Sequence, residues 1–196
     1  MSAAIALGSN LPSAHGGALE TLRAVRPELA ALLRARFGLE PGEAGPRLVW
    51  SPLFRTAPVG GPRGQADYLN AVLLVRGLKS PGAAAAKALI TELLALEHRF
   101  GRQRLERWGP RCLDLDLLWW GALQSDCPAL QLPHPRLRER AFVLAPLAAI
   151  DPTLVPPAGH QQPHDGRTAQ ALLTALLPQL PEPPPARLAA QPGWPE

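Results

Sequence analysis

An α+β fold is predicted: a ferredoxin-like β-α-β-β-α-β core, with an antiparallel sheet, two helices on one face, and additional C-terminal helices. Three observations predict it. Short apolar runs are bounded by turn residues, two longer segments carry apolar residues at helical spacing, and the two kinds alternate in that order along the chain. At 196 residues with 46% hydrophobic content, a single domain with its own core is expected.

Ala3–Leu7 is apolar and stopped by "GSN", a strand signal. From Gly17 to Phe37, Leu19, Leu22, Val25, Leu29, Leu32 and Leu33 recur at helical spacing, and Pro27 is expected to kink that helix or divide it. "GLEPGEAGP" reads as a loop. Leu48–Phe54 is the second strand, made irregular or confined to an edge by Pro52. The Gly- and Pro-rich connection Arg55–Asp67 is long enough to suggest a functional loop. Tyr68–Val75 is the third strand. Pro81 and Gly82 open a second helix with the stripe Leu89, Leu93, Leu96, Phe100, and Leu113–Trp120 is the fourth strand. Arg138–Ile150, disturbed by Pro146, and Gly166–Leu177 are the added helices. Residues 178–196 hold too much proline to pack and are expected to form an extended tail beyond a domain spanning 1–177.

The net charge of +4 and an isoelectric point near 9.8 suit an anionic partner, nucleotide or nucleic acid. The N-terminus lacks a basic region and a long apolar run, and no segment approaches the roughly 20 apolar residues of a membrane span. A cytoplasmic chain that contacts no membrane is the expectation. Cys112 and Cys127, without a C-x-x-C, are expected to be reduced.

The chemistry concentrates in "GRQRLERWGPRCLDLDLLWWG". Asp114 and Asp116 stand two apart on a strand, so they share a face at about 7 Å and can converge on hard cations. Two Mg²⁺ ions about 3.5–4 Å apart could be bridged this way while clamping a polyphosphate. Leu113, Leu115 and Leu117 point into the core, while Leu118 and Trp120 continue the aspartate face. Carboxylates beside such neighbours call for cationic partners. A half-exposed strand with two solvated aspartates is the plain alternative. Arg99, Arg102, Arg104, Arg107 and Arg111 precede the strand, offering planar donors for phosphate oxygens. Gly101 and Gly109 allow that loop to act as a lid, and Trp108 within it is either a hydrophobic anchor or a flat cover over an aromatic ring.

These residues resemble the 6-hydroxymethyl-7,8-dihydropterin pyrophosphokinase family of folate biosynthesis. The likeness rests on "RWGPRCLDLDLL", together with "ALGSN", "FRTAPVG", "QADYLN", Glu97 before "GR", and "LPHPRLRERAFVLAPL", all in the family's order. It runs to about Val155, and the family's fold is the ferredoxin-like arrangement. The resemblance implies transfer of pyrophosphate from ATP to the pterin's hydroxymethyl group with release of AMP. It implies two Mg²⁺ ions on Asp114 and Asp116, with Arg102 and Arg111 engaging the phosphates. Glu97, Arg104, Arg107, Leu117, His134 and Arg140 match ATP contacts. Tyr68 and Phe142 match aromatics against the pterin ring, and Asn70 matches the amide reading its edge. Thr56, Pro58 and Val59 match its bordering loop, and Trp108 its cap. ATP and the pterin are then the partners, and a monomer is expected. Departures are a slightly short arginine loop with Leu105 at a usually basic place, Leu94 at a usually polar one, a helical insertion at about 27–45, and the tail.

Other signals are weaker. His160 and His164 are spaced for a metal, but Pro163 breaks the helix that would align them, and His15 and His98 read as surface residues. No G-x-x-x-x-G-K-[ST] is present. A basic RNA-binding module of the same fold would need more aromatic strands than Tyr68 provides, and a two-metal phosphodiester hydrolase would need further acidic ligands.

Overall fold

The computed structural model describes residues 1–38, 47–79, 81–103, 109–159, 162 and 165–195. The strands are β1 (Ser2–Ser9), β2 (Arg47–Trp50), β3 (Phe54–Thr56), β4 (Tyr68–Arg76), β5 (Asp114–Trp120), β6 (Ser125–Cys127), β7 (Leu130–Leu132) and β8 (Ala186–Arg187). The helices are α1 (Ala18–Phe37), α2 (Ala83–Arg99), α3 (Ala141–Ile150) and α4 (Ala169–Leu176). The main sheet runs β5-β1-β4-β3-β8, with β2 also on β4, and every pairing is antiparallel. With β2 and β3 counted as one interrupted strand, its core is the expected ferredoxin-like order.

Both faces of that sheet are covered. Ile5, Leu7, Leu73, Val75, Leu115 and Leu117 meet α1 through Leu22, Val25, Leu29 and Leu33, and α2 through Leu89, Leu93 and Leu96. Ala4, Val72, Leu74, Leu118 and Trp119 meet α3 and α4 on the other side through Val143, Leu144, Leu147, Leu172 and Leu173. Double burial explains why Ala3–Leu7 and Ala71–Val75 are unbroken apolar runs instead of alternating ones. Pro27 does not divide α1. It sits exposed on the solvent side, where the carbonyl it leaves without a donor can be hydrated.

Two irregularities change the expected side-chain directions. Ile5 pairs with Leu117 but Ala4 with Trp119, so Leu118 is an extra residue on β5. Beyond it Trp119, not Trp120, continues the aspartate face. Trp120 turns to the α1 side and meets Phe37 edge-on at 4.9 Å. The second strand is broken at Ser51–Pro52–Leu53. Four steps from Trp50 to Phe54 oppose three from Leu73 to Asn70, again one extra residue. Ser51 bridges the break, its N–H donating to Val72 O and its Oγ accepting from Val72 N–H, both at 2.9 Å.

The tail is extended but does pack. β8 pairs with β3, Leu188 N–H donates to Leu53 O at 2.9 Å, and the Trp194 side chain enters the α1-side core at 6% exposure. Its indole N–H donates to Ser51 O at 2.8 Å, and its ring meets Trp50 edge-on at 5.5 Å. Proline prevents a helix there, yet backbone pairing and one aromatic anchor do not need one. Cys112 is buried, Cys127 is exposed, and neither forms a disulfide. Among the described residues no helix is long and apolar enough to cross a membrane. Trp194→Ala is expected to lower the unfolding free energy by about 3–5 kcal/mol, as for other buried aromatics. Urea unfolding measures this, and a loss within error of zero would mean the tail is not docked.

Candidate active site

The site lies on the α3 side of the sheet, at the end where β1 finishes and β4 and β5 begin. Ala6 and Gly8 form its floor, each opposite an aspartate: Ala6 pairs with Asp116 and Gly8 with Asp114. Gly8 is required by space, because a Cβ there would fall 2.9 Å from Asn70 Oδ1. One cavity gathers Ala6, Leu7, Gly8, Thr56, Ala57, Pro58, Val59, Gly60, Tyr68, Asn70, Arg111, Asp114, Asp116, Arg136, Arg140 and Phe142.

One half of the cavity is charged. Arg102 and Arg111 both hold Asp114 Oδ1, at 2.7 and 2.9 Å, and Arg140 reaches Asp116 Oδ2 at 3.3 Å. The carboxylates are therefore compensated within the protein by three guanidinium groups. Asp116 still keeps 37% of its side chain accessible. Burial in the cleft raises its pKa above the ordinary carboxyl value, and the charge of Asp114 adds to this against the pull of Arg140.

Glu97, at the end of α2, is not on the cavity wall. Its carboxylate is 2% exposed, accepts from Leu115 N–H at 2.6 Å and pairs with Arg102. It fixes the start of β5 and one arginine from beneath. Burial pushes its carboxyl up to about 7, and Arg102 offsets this only in part. His134 stands outside the cavity lining. Burial, followed by Arg140, brings its pKa down to about 4, so the ring is neutral at neutral pH. Its Nδ1 accepts from Arg136 N–H at 3.1 Å, which leaves Nε2 as the donor.

The other half is aromatic and amide-lined. Asn70 Nδ2 donates to Thr56 Oγ1 at 2.7 Å, with both side chains buried. Tyr68 donates its hydroxyl to Gly109 O at 3.2 Å, tying β4 to the arginine loop. Phe142 opens α3, and the Arg140 guanidinium lies 5.4 Å from its ring centroid. Pro58 and Val59 border the mouth.

The structure thus brings together Thr56, Pro58, Val59, Tyr68, Asn70, Arg102, Arg111, Asp114, Asp116, Arg140 and Phe142. Leu117 is placed with its side chain in the opposite core, so only its backbone can face a ligand. Arg104, Arg107 and Trp108, like His160 and His164, lie outside the described residues. One contributor was not singled out from sequence. Arg136 lines the cavity, although its place in "PHPRLR" was a signal. Asn10, in the "GSN" that stops the first apolar run, donates to Ala66 O at 3.0 Å and accepts from Arg111 N–H at 2.8 Å, joining the loops of both halves.

The family model described as 7,8-dihydro-6-hydroxymethylpterin-pyrophosphokinase matches residues 4–152. The chain is 39% identical over 155 residues to a 2-amino-4-hydroxy-6-hydroxymethyldihydropteridine pyrophosphokinase of Synechocystis sp., spanning 79% of this chain and 69% of that protein. A protein of the same name from Haemophilus influenzae is 34% identical over 157 residues, 80% of this chain and 86% of the relative. One from Pseudomonas aeruginosa is 41% identical over 113 residues, 58% and 66% respectively.

Glu97 offers a test of the site's electrostatics. Its folded pKa of about 7 lies above the ordinary 4.5, so the folded state holds the extra proton in that window and stability falls as pH rises through it. Glu97→Gln keeps an acceptor for Leu115 N–H without the charge. Relative to the wild type it is expected to gain on the order of 2–3 kcal/mol between about pH 4.5 and pH 8. Urea unfolding at both values checks this, and a pH-independent difference would contradict it.

Proposed function

The chain belongs to the 7,8-dihydro-6-hydroxymethylpterin-pyrophosphokinase family, and from that premise we infer that it transfers pyrophosphate from ATP to the hydroxymethyl group of 6-hydroxymethyl-7,8-dihydropterin, releasing AMP, in folate synthesis. The observation that carries the reading is one cavity holding two carboxylates and several arginines beside an amide and aromatic subsite.

A pterin is flat, aromatic on its faces and polar along its edge. Tyr68 and Phe142 supply ring faces, and Asn70, oriented by Thr56, supplies the amide that reads the edge. Pro58 and Val59 exclude water at the border. The polyphosphate belongs on the opposite half, with Arg111, Arg102 and Arg140 turning from the aspartates to phosphate oxygens. Arg136 and neutral His134 stand on the same side as donors. From the family resemblance we assign Arg104 and Arg107 to the phosphates and Trp108 to a cover over the ring.

The carboxylates fit Mg²⁺, which favours oxygen donors and completes its shell with substrate oxygens and water. Among the described residues no third His, Cys, Asp or Glu joins Asp114 and Asp116 into a closed metal cage. These two would hold the ions, which we take to be two. Bound Mg²⁺ would neutralise charge on the phosphate oxygens. The attacking group is a primary alcohol and the leaving group is AMP, so positioning and charge stabilisation supply most of the catalysis, and no covalent enzyme intermediate is required. An RNA-reading role on this fold needs an open sheet face, and both faces here are covered by helices.

With ATP, Mg²⁺ and the hydroxymethyl-dihydropterin, the expected product is AMP formed only when pterin is present. ADP or inorganic phosphate in its place would sink the reading. Asp114→Ala and Asp116→Ala are each expected to lower kcat by about 10²–10³-fold or more, the scale of losing electrostatic stabilisation at a reacting centre. Near-normal turnover in both would remove the carboxylates from the mechanism.

A further inference from the structure

The tail lies beyond the residues shared with the family, yet it is docked against the segment that leads into the pterin side of the cavity. β3 is three residues long and lies between β4 and β8. On β4 its partners are Asn70, Leu69 and Tyr68, and the first and last of these are assigned to the pterin. Its last residue, Thr56, orients Asn70, and the chain then passes directly into Ala57–Gly60 on the cavity wall.

Upstream of β3, Ser51 holds to Val72 of β4, but the ladder breaks before Phe54. Pro52 contributes no N–H, and the extra residue at Ser51–Leu53 interrupts the ladder with β4. The tail supplies what is missing there. Trp194 N–H binds Ser51 O, Leu188 N–H binds Leu53 O, and Arg187 and Ala186 pair with Phe54 and Arg55. These contacts fall on four positions, 51 and 53 to 55, with Pro52 enclosed between them, immediately before Thr56. The Trp194 ring, against Trp50 and beside Leu53 in the same core, clamps the break from the α1 side.

We propose that the C-terminal tail, through Trp194 and β8, is a positioning element for the pterin subsite, holding β3 so that Thr56, Asn70 and the 57–60 wall keep their binding geometry. The aspartates and arginines stand on β5, its preceding loop and the start of α3, none of which the tail touches in these contacts. Loosening the tail therefore weakens pterin binding and leaves the nucleotide side intact. The inference rests on the pterin assignment above.

Steady-state kinetics of full-length variants, well below their melting temperatures, test it. Trp194→Ala removes the anchor, and Trp194→Phe keeps a ring while losing only the N–H to Ser51 O. Leu29→Ala, in the same core but on α1, controls for general destabilisation, and Asn70→Ala reports on the pterin assignment itself. Trp194→Ala is expected to raise KM for the pterin about five- to tenfold, with KM for ATP and kcat changed less than about twofold, since small misplacements of binding groups are costly. Trp194→Phe should fall between it and the wild type and carries the test should Trp194→Ala not fold. Leu29→Ala should leave both KM values unchanged. An unchanged pterin KM in both Trp194 variants overturns the proposal, as does an equal rise for ATP or in Leu29→Ala. A wild-type pterin KM in Asn70→Ala overturns the pterin assignment, and this inference with it.

Discussion

Two carboxylates at the start of an otherwise apolar strand are tolerable only because three guanidinium groups meet them. Arg102 and Arg111 hold Asp114, Arg140 holds Asp116, and Glu97 holds Arg102 in turn. Most of the local architecture serves that arrangement. α2 ends where Glu97 can reach both Leu115 N–H and Arg102. The arginine loop returns to β5 through Asn10, which grips Arg111 at both its N–H and its carbonyl. The start of α3 brings Arg140 and Phe142 over the same face. Three arginines face Asp114, Asp116 and Glu97, and Arg136 adds a positive charge beside them.

The sheet leaves room for a ligand through small residues and local breaks. Ala6 and Gly8 keep the floor low opposite the aspartates, and Asn70 occupies the space that a side chain at Gly8 would need. The extra residue at Leu118 lets β5 carry polar groups over the site and then swaps the faces of its two tryptophans, burying Trp119 on the α3 side and Trp120 on the α1 side. The break at Ser51–Leu53 redirects the second strand so that its last three residues lie beside Tyr68 and Asn70. Each irregularity is local, and each sits next to a cavity-forming segment.

Much of this was legible in the chain. The apolar runs and the stripes of α1 and α2 marked the core because burial dictates both, and Pro52 marked the irregular strand because it cannot donate. Asp114, Asp116 and the arginines were recognisable as a charge-matched set, but their direct pairing was not. Cations clamping a polyphosphate were expected beside the carboxylates, and the arginines already compensate them, since which loop residue folds back is decided by distant contacts such as Asn10. Trp120 was assigned to the aspartate face because strict alternation carries no sign of an extra residue at Leu118. The tail was expected not to pack because proline content reports on helices and regular cores, and says little about whether one tryptophan finds a gap beside Trp50 and Ser51.

The central claim is that arginines hold the two carboxylates proposed to bind metal, so the most direct test is metal affinity without nucleotide. Mn²⁺, standing in for Mg²⁺, can be titrated by electron paramagnetic resonance into the wild type and into Arg111→Ala. Removing one of the cations on Asp114 should tighten Mn²⁺ binding about three- to tenfold, because the carboxylate loses a competitor and a repelling charge. An affinity that is unchanged or weaker in Arg111→Ala would show that the guanidinium does not hold the site against metal, and would contradict the account.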